Sequence, residues 1–267
     1  MTSDARAVFR DLHTSGLFVM PNPWDAGSAR LLATLGFPAL ATTSSGHAAT
    51  LGRRDQQVSR DELLTHAASL AAAVDVPLSV DAERCFAADP AGVADTVRLI
   101  AQTGAAGCSI EDYDPATGAI DSIEVATERV AAAADAAHAH GLVLTARTER
   151  HLYGGDDLDA TVARLTAYRD VGADVVYAPG LVAIDDIARL VRDVGAPLNV
   201  LALPHGPSVP ELASVGVRRV STGGALARAA YGRLVSAARA LLHTGTSTYA
   251  TDILADADRD AAFPSRR

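Results

Sequence analysis

Eight short runs of aliphatic and β-branched residues recur along the chain, separated by helix-length, alanine-rich stretches. They are Leu17–Met20, Ala39–Thr43, Leu78–Asp81, Gly107–Glu111, Val143–Arg147, Asp174–Ala178, Leu198–Leu203 and Arg219–Thr222. Such alternation builds βαβ units and a parallel sheet, and strands that are apolar throughout are covered on both faces. Eight units in succession predict an α/β fold, a (β/α)8 TIM-type barrel with extra helices at both ends. The competing fold is an open Rossmann-like sheet, but no Gly-x-Gly-x-x-Gly follows the first strand. Gly36, Gly104, Gly141, Gly172, Gly195 and Gly216 each stand where a helix should end in a left-handed residue. Ser59-Arg60-Asp61-Glu62 and Ser122-Ile123-Glu124 read as helix starts, with acceptor side chains and early acids. No linker or shift in composition divides the chain, so residues 1–267 read as one domain. The segment Ser3 to His13 is expected to plug the barrel base. From Thr248 an acidic helical appendage is expected, with a mobile Arg266-Arg267 end.

Composition removes several functions. A net charge of -9 and an aromatic content of 4% argue against a nucleic-acid partner. No apolar run approaches the roughly 20 residues that span a bilayer, so no membrane partner is expected. Two cysteines, Cys85 and Cys108, make no disulfide framework. With no recognisable signal peptide, this predicts a cytoplasmic protein. The most informative absence is lysine: all 23 basic residues are arginine. Imine chemistry needs an amine nucleophile and a P-loop needs its lysine, so both are excluded. A barrel of this composition that forms an enolate needs a metal or a bound cofactor as electron sink.

Barrel sites lie at the C-terminal ends of the strands. There the sequence places Thr42-Thr43-Ser44-Ser45-Gly46-His47, Asp81-Ala82-Glu83, Glu111-Asp112 and Arg147-Thr148-Glu149. Side chains two apart on a strand point the same way, so Asp81, Glu83 and Glu111 are expected to converge. Carboxylates so close repel, and a hard divalent cation relieves the repulsion. Mg2+ fits best, with Mn2+ as the alternative. Arg147 suits an anionic, carboxylate-bearing substrate. The plainer alternative is that these acids merely pair with Arg84, Arg147 and Arg150. Three acids on adjacent strands favour the site.

Six ordered segments carry a resemblance. Asn22-Pro23-Trp24-Asp25-Ala26 follows strand 1, then come Ser45-Gly46-His47, Leu51-Gly52-Arg53-Arg54-Asp55, Ser79-Val80-Asp81-Ala82-Glu83, Ser109-Ile110-Glu111-Asp112 and Thr145-Ala146-Arg147-Thr148-Glu149. Together they resemble the isocitrate lyase and phosphoenolpyruvate mutase superfamily over nearly the whole chain. The resemblance implies that Asp81 is a direct metal ligand, with Glu83, Glu111 and Asp55 acting mainly through metal-bound water. It also implies that Trp24, Ser45, Gly46 and His47 wall and anchor a 2-oxo or 2-hydroxy carboxylate. Arg147 would stabilise the enolate formed on bond cleavage. Relatives commonly form tetramers that exchange the last helix, so a homo-oligomer, tetramer or dimer, is expected. The helix from Ala225 to Leu242 and the segment Thr248–Phe263 fit such an arm, which could equally fold back on its own barrel.

The departures matter too. Isocitrate and methylisocitrate lyases carry a Lys-Lys-Cys-Gly-His loop after the strand 4 acids. Here the stretch is Tyr113-Asp114-Pro115-Ala116-Thr117-Gly118, and the lysine used by phosphonate-processing relatives is missing as well. Three readings stay open: a metal-dependent carbon–carbon lyase, a phosphonate mutase or hydrolase, and a non-catalytic binder of small acids. Among single residues, His47 reads as an acid–base group or a rim histidine. Tyr177 reads as a substrate hydrogen-bond partner or a core tyrosine. Cys85 and Cys108 read as inert and buried, Asn199 and His205 as loop residues, and Ser221-Thr222-Gly223-Gly224 as a weak phosphate-binding turn.

Overall fold

The computed structural model describes residues 2–251 and 253–263. Eight parallel strands form one nearly closed barrel: β1 (Phe18–Met20), β2 (Leu40–Ala41), β3 (Leu78–Asp81), β4 (Gly107–Glu111), β7 (Val143–Arg147), β8 (Val175–Tyr177), β9 (Leu198–Leu201) and β10 (Arg219–Ser221). The ladder order is β1-β10-β9-β8-β7-β4-β3-β2. At the β1–β2 seam Ala41 N–H donates to Pro21 C=O at 3.1 Å and Asn22 Nδ2 donates to Thr42 C=O at 2.8 Å. Two strands outside the barrel, β5 (Tyr113–Asp114) and β6 (Ala119–Ile120), pair antiparallel. They occupy the stretch expected to be an altered loop.

The helices are α1 (Thr2–Asp11), α2 (Ala26–Thr34), α3 (Ser44–Thr50), α4 (Arg60–Ala71), α5 (Pro90–Gln102), α6 (Ile123–Ala139), α7 (Leu158–Asp170), α8 (Ile184–Val194), α9 (Val209–Ser214), α10 (Ala225–Thr244) and α11 (Asp256–Ala262). Their ends follow the signals in the sequence. Ser59 and Glu62 form a reciprocal capping box at α4, and the Ser122 hydroxyl accepts from Val125 N–H at α6. All six predicted terminator glycines have positive φ, from 67° at Gly195 to 107° at Gly172.

Helix α1 closes the barrel floor, as its position in the sequence predicts. Phe9 is fully buried and packs with Phe18, Ala39, Ala106, Val143 and Val175 at the strand N-termini. Arg6 fastens the helix by donating to the carbonyls of Ala101, Ala105 and His140. At the other end of the chain, α11 packs on α2 of the same chain, with Ala262 buried. The expected mobile end at Arg266-Arg267 lies outside the described residues. Among the described residues no helix is long and apolar enough to cross a membrane.

Candidate functional site

Asp81 ends β3 at the barrel mouth. Its N–H donates to Thr42 Oγ1 at 2.8 Å, its Oδ2 accepts from Ser44 N–H at 2.9 Å, and its Oδ1 accepts from Arg147 Nη2 at 3.1 Å. Ser44 opens α3, so the carboxylate meets the positive end of a helix. Burial pushes the Asp81 carboxyl up, but the Arg147 guanidinium and the Ser44 N–H more than offset it and hold it below its ordinary value.

Arg147 ends β7, in register with Glu111 on β4 and Tyr177 on β8. Nη2 also donates to Glu111 Oε2, and Nε lies 3.3 Å from Glu149 Oε1. Burial opposes the charge, yet Asp81 and Glu149 hold the guanidinium more firmly protonated than usual. Gln56 Nε2 donates to the other Glu111 oxygen at 2.7 Å.

Glu83 reaches this cluster by a route other than strand alternation. The strand stops at Asp81, and Glu83 adopts φ 48°, in a turn where Cys85 and Phe86 are also left-handed. Non-glycine residues in this region are strained, and such strain gathers at functional sites. The Glu83 carbonyl accepts from Glu111 N–H at 3.0 Å, which fixes the turn to β4. Its buried Oε1 has no hydrogen-bond partner. Burial, then the charges of Asp81 and Asp55, push this carboxyl up to about 8. Asp55 lies on the exposed rim, and lost solvation and Asp81 raise it as well. Glu149 is buried and raised, chiefly by burial.

Five carboxylates (Asp55, Asp81, Glu83, Glu111 and Glu149) thus surround the Arg147 guanidinium. An all-oxygen donor set, surplus negative charge and an orphaned buried carboxylate oxygen fit a hard divalent cation. Among the described residues, however, no three acids, histidines or cysteines are already arranged to grip a metal ion. Arg147 donates to both Asp81 and Glu111. Arg84 instead makes a two-point contact with Asp121, at 2.8 and 3.0 Å.

Other expected site residues fall in different places. Trp24 is half-buried, and its Cβ lies 3.0 Å from where a Gly46 Cβ would stand. The Ser45–His47 segment lies in the first turn of α3. Thr43 caps it, so Gly46 N–H donates to Thr43 Oγ1 and His47 N–H to Thr43 C=O. Ser45 Oγ contacts Thr43 Oγ1 at 3.1 Å. The His47 ring is not brought to the acids; it stacks on His66 of α4. Tyr177 is buried, hydrogen-bonds Ser221 and lines the cavity under the mouth; burial raises its phenol. The Thr222 and Gly223 N–H groups donate to Asn22 Oδ1 and close the barrel seam instead of forming a phosphate nest. Cys85 is buried and its thiol is pushed up to about 12 by burial, in keeping with an inert role.

Several contributors escaped sequence reasoning. Glu149 stands two residues after Arg147, a spacing that could have marked it. Asp112, expected beside Glu111, faces away from the acids. It accepts from Glu149 N–H at 2.9 Å, Arg164 Nη1 at 3.1 Å and Tyr168 OH at 2.8 Å. It therefore positions Glu149 from below. Asn199 lies inside β9 rather than in a loop. Gln56 carries no signal that a sequence could show.

The sequence matches the phosphoenolpyruvate phosphomutase family over residues 9–242. A protein of Mycobacterium tuberculosis, described only as uncharacterized, is 35% identical over 224 residues, covering 80% of this chain and 81% of that one. A crystal structure of a candidate lyase/mutase from Burkholderia cenocepacia J2315 superimposes with a TM-score of 0.94 at 49% identity, covering 98% of each chain. Oxaloacetate acetylhydrolase in complex with the product oxalate superimposes with a TM-score of 0.86 at 26% identity, covering 98% of this chain and 94% of that one. The chain belongs to the phosphoenolpyruvate phosphomutase family, within the isocitrate lyase superfamily of lyases and mutases.

Proposed function

We propose that the protein is an enzyme that cleaves a carbon–carbon bond of a small 2-oxo or 2-hydroxy mono- or dicarboxylic acid at the barrel mouth. It would act with Mg2+, or Mn2+, held by Asp81, Glu83 and Glu111. The observation that carries this reading is the buried, unpartnered Oε1 of Glu83 beside Asp81 and Asp55. A divalent cation there supplies the charge against which an enolate can develop. Arg147 binds the substrate carboxylate as a charge-assisted donor, Asp55 guards the rim, and Trp24, Ser45 and Gly46 wall the site. Tyr177, buried beside Arg147, orients bound substrate and excludes water. His47 takes no part in this reading, because its ring is committed to His66.

Oxalate, the product bound in the oxaloacetate acetylhydrolase structure, is a suitable probe. Mg2+ plus oxalate should raise the Tm of the protein, and Asp81→Ala should abolish the rise. No shift in the unaltered chain overturns the metal site. Oxaloacetate, alkylmalates and phosphonopyruvate should then be screened for pyruvate release. Turnover of phosphonopyruvate alone would favour the phosphonate reading, and binding without turnover a non-catalytic acid binder. A homo-oligomer is proposed on α10, 20 residues long, where Leu234 and Leu242 are exposed. Cytoplasmic placement is part of the same proposal.

A further inference from the structure

TIM barrels ordinarily fill their interiors with layers of bulky branched side chains. This barrel does not. Inward positions of β3, β4 and β7 are Ser79, Ser109 and Thr145, and Arg219 of β10 enters the same layer. Arg219 is buried and crosses the barrel. Its Nη2 donates to Thr145 Oγ1 at 2.8 Å, its Nε to Asn199 Oδ1 at 2.9 Å, and its Nη1 to His13 Nε2 at 3.1 Å.

None of these partners is charged. Asn199 donates its own Nδ2 to Ser221 Oγ, which leaves its Oδ1 as the acceptor. His13 must be neutral as well. Its Nδ1 donates to Phe9 C=O at 2.8 Å while its Nε2 accepts from a guanidinium that can only donate. Burial, reinforced by Arg219, keeps His13 neutral by lowering it to about 3. A full positive charge thus sits in the barrel interior with no acid among its partners, although buried charges are ordinarily paired.

Above Arg219 lies a cavity of about 50 Å3, lined also by Ser79, Ser109, Thr145, Tyr177 and Ser221. One water needs roughly 10–15 Å3 of such space, so an ion with one or two waters can be accommodated. The charged side chains on its wall are Asp81, Arg147 and Arg219. Asp81 is turned to Arg147, at 3.1 Å, and to the Ser109 hydroxyl, at 3.5 Å, whereas Arg219 meets no acid among its hydrogen-bond partners.

We propose that the barrel interior beneath the mouth binds a small inorganic anion of halide size, held by Arg219 and the hydroxyls of Ser79, Ser109, Thr145 and Ser221. The anion supplies the counter-charge that the sequence withholds from Arg219. The cavity shares Asp81, Arg147 and Tyr177 with the divalent-cation reading, so the anion is tested with divalent cations removed.

The test titrates the full chain in EDTA with sodium bromide against sodium gluconate at constant ionic strength, following Tm. A bromide-soaked crystal is examined for anomalous scattering. The expected result is a saturable Tm rise in bromide, none in gluconate, and a peak beside Arg219. Arg219→Met should abolish the saturable rise. Should that variant fail to fold, Thr145→Val keeps Arg219 and the shape of the cavity. It should weaken bromide binding at least tenfold. Equal Tm in both salts, a peak without a saturable rise (an adventitious ion only), or a saturable rise with no peak inside the barrel each overturns the proposal.

Discussion

His47 and His66 lie face to face, with ring centroids 3.7 Å apart and planes 15° from parallel, and three of their four ring nitrogens are buried without a partner. Burial, and then the neighbouring His47, lower His66 to about 4, against Asp25, which raises it. Above pH 6.5 the ring is neutral in the folded and unfolded chain alike, and the stack is intact. As pH falls from 6.5 towards 4, the unfolded chain takes up a proton that the folded chain refuses, so stability falls. The loss attributable to His66 is about 2 kcal/mol by pH 5. Urea melts at pH 7.5 and pH 5 measure it. His66→Phe keeps a ring against His47 and should flatten the difference; an unchanged difference would assign the acid sensitivity elsewhere.

The triad of Asp112, Arg164 and Tyr168 is buried on all three members. Removing the cation strands a buried carboxylate, at a cost of about 3–5 kcal/mol. Arg164→Met should lower stability by that amount in denaturant unfolding. Tyr168→Phe, which deletes one hydrogen bond to a charged acceptor, should cost about 1.5–3 kcal/mol. Because Asp112 also holds Glu149 N–H, the Mg2+ and oxalate response should weaken in both variants.

Gly46 admits no side chain without movement. A Cβ there would stand 2.5 Å from Thr43 Cγ2 and 3.0 Å from Trp24 Cβ. Gly46→Ala should cost about 1–3 kcal/mol. By displacing the first turn of α3 it should draw Ser44 N–H away from Asp81. Gly232, in the middle of α10, meets nothing within 4 Å. Gly232→Ala should therefore raise stability by about 0.5–1 kcal/mol. Thermal unfolding of the two variants should show opposite signs.

Arg147→Gln removes the charge while keeping a donor. With whichever substrate the screen identifies, turnover should fall by about 10²–10³-fold, the scale for losing one donor that stabilises developing negative charge. A fall confined to KM would place Arg147 in ground-state binding alone.

Much of this was legible in the sequence because it is local. β3, β4 and β7 begin and end where their apolar runs do, and the helix-ending glycines carry their left-handed φ wherever they occur. Features set by tertiary contact were not legible. The Ser45–His47 segment, expected to wall the substrate, is helical because Thr43 caps it. Glu83 looked like a continuation of the strand, but a left-handed turn carries it. The hairpin of Tyr113–Asp114 with Ala119–Ile120 is too short to leave a period. Arg219 did have a signal, an arginine at an inward position of an apolar strand, whose meaning depends on seeing what it crosses to reach.

The floor made by α1 bears on how the chain is synthesised. Arg6 grips a carbonyl 134 residues further along, and β1 finds its ladder partner only in β10, with Phe18 opposite Arg219. A ribosome adding about 5–20 residues per second leaves that first segment without its partners for about 10–40 s. Helix α1 and β1 are thus made well before their partners and dock late, and barrel closure waits for β10. A chaperone that shelters nascent α1 would be protecting the piece that finally seals the fold.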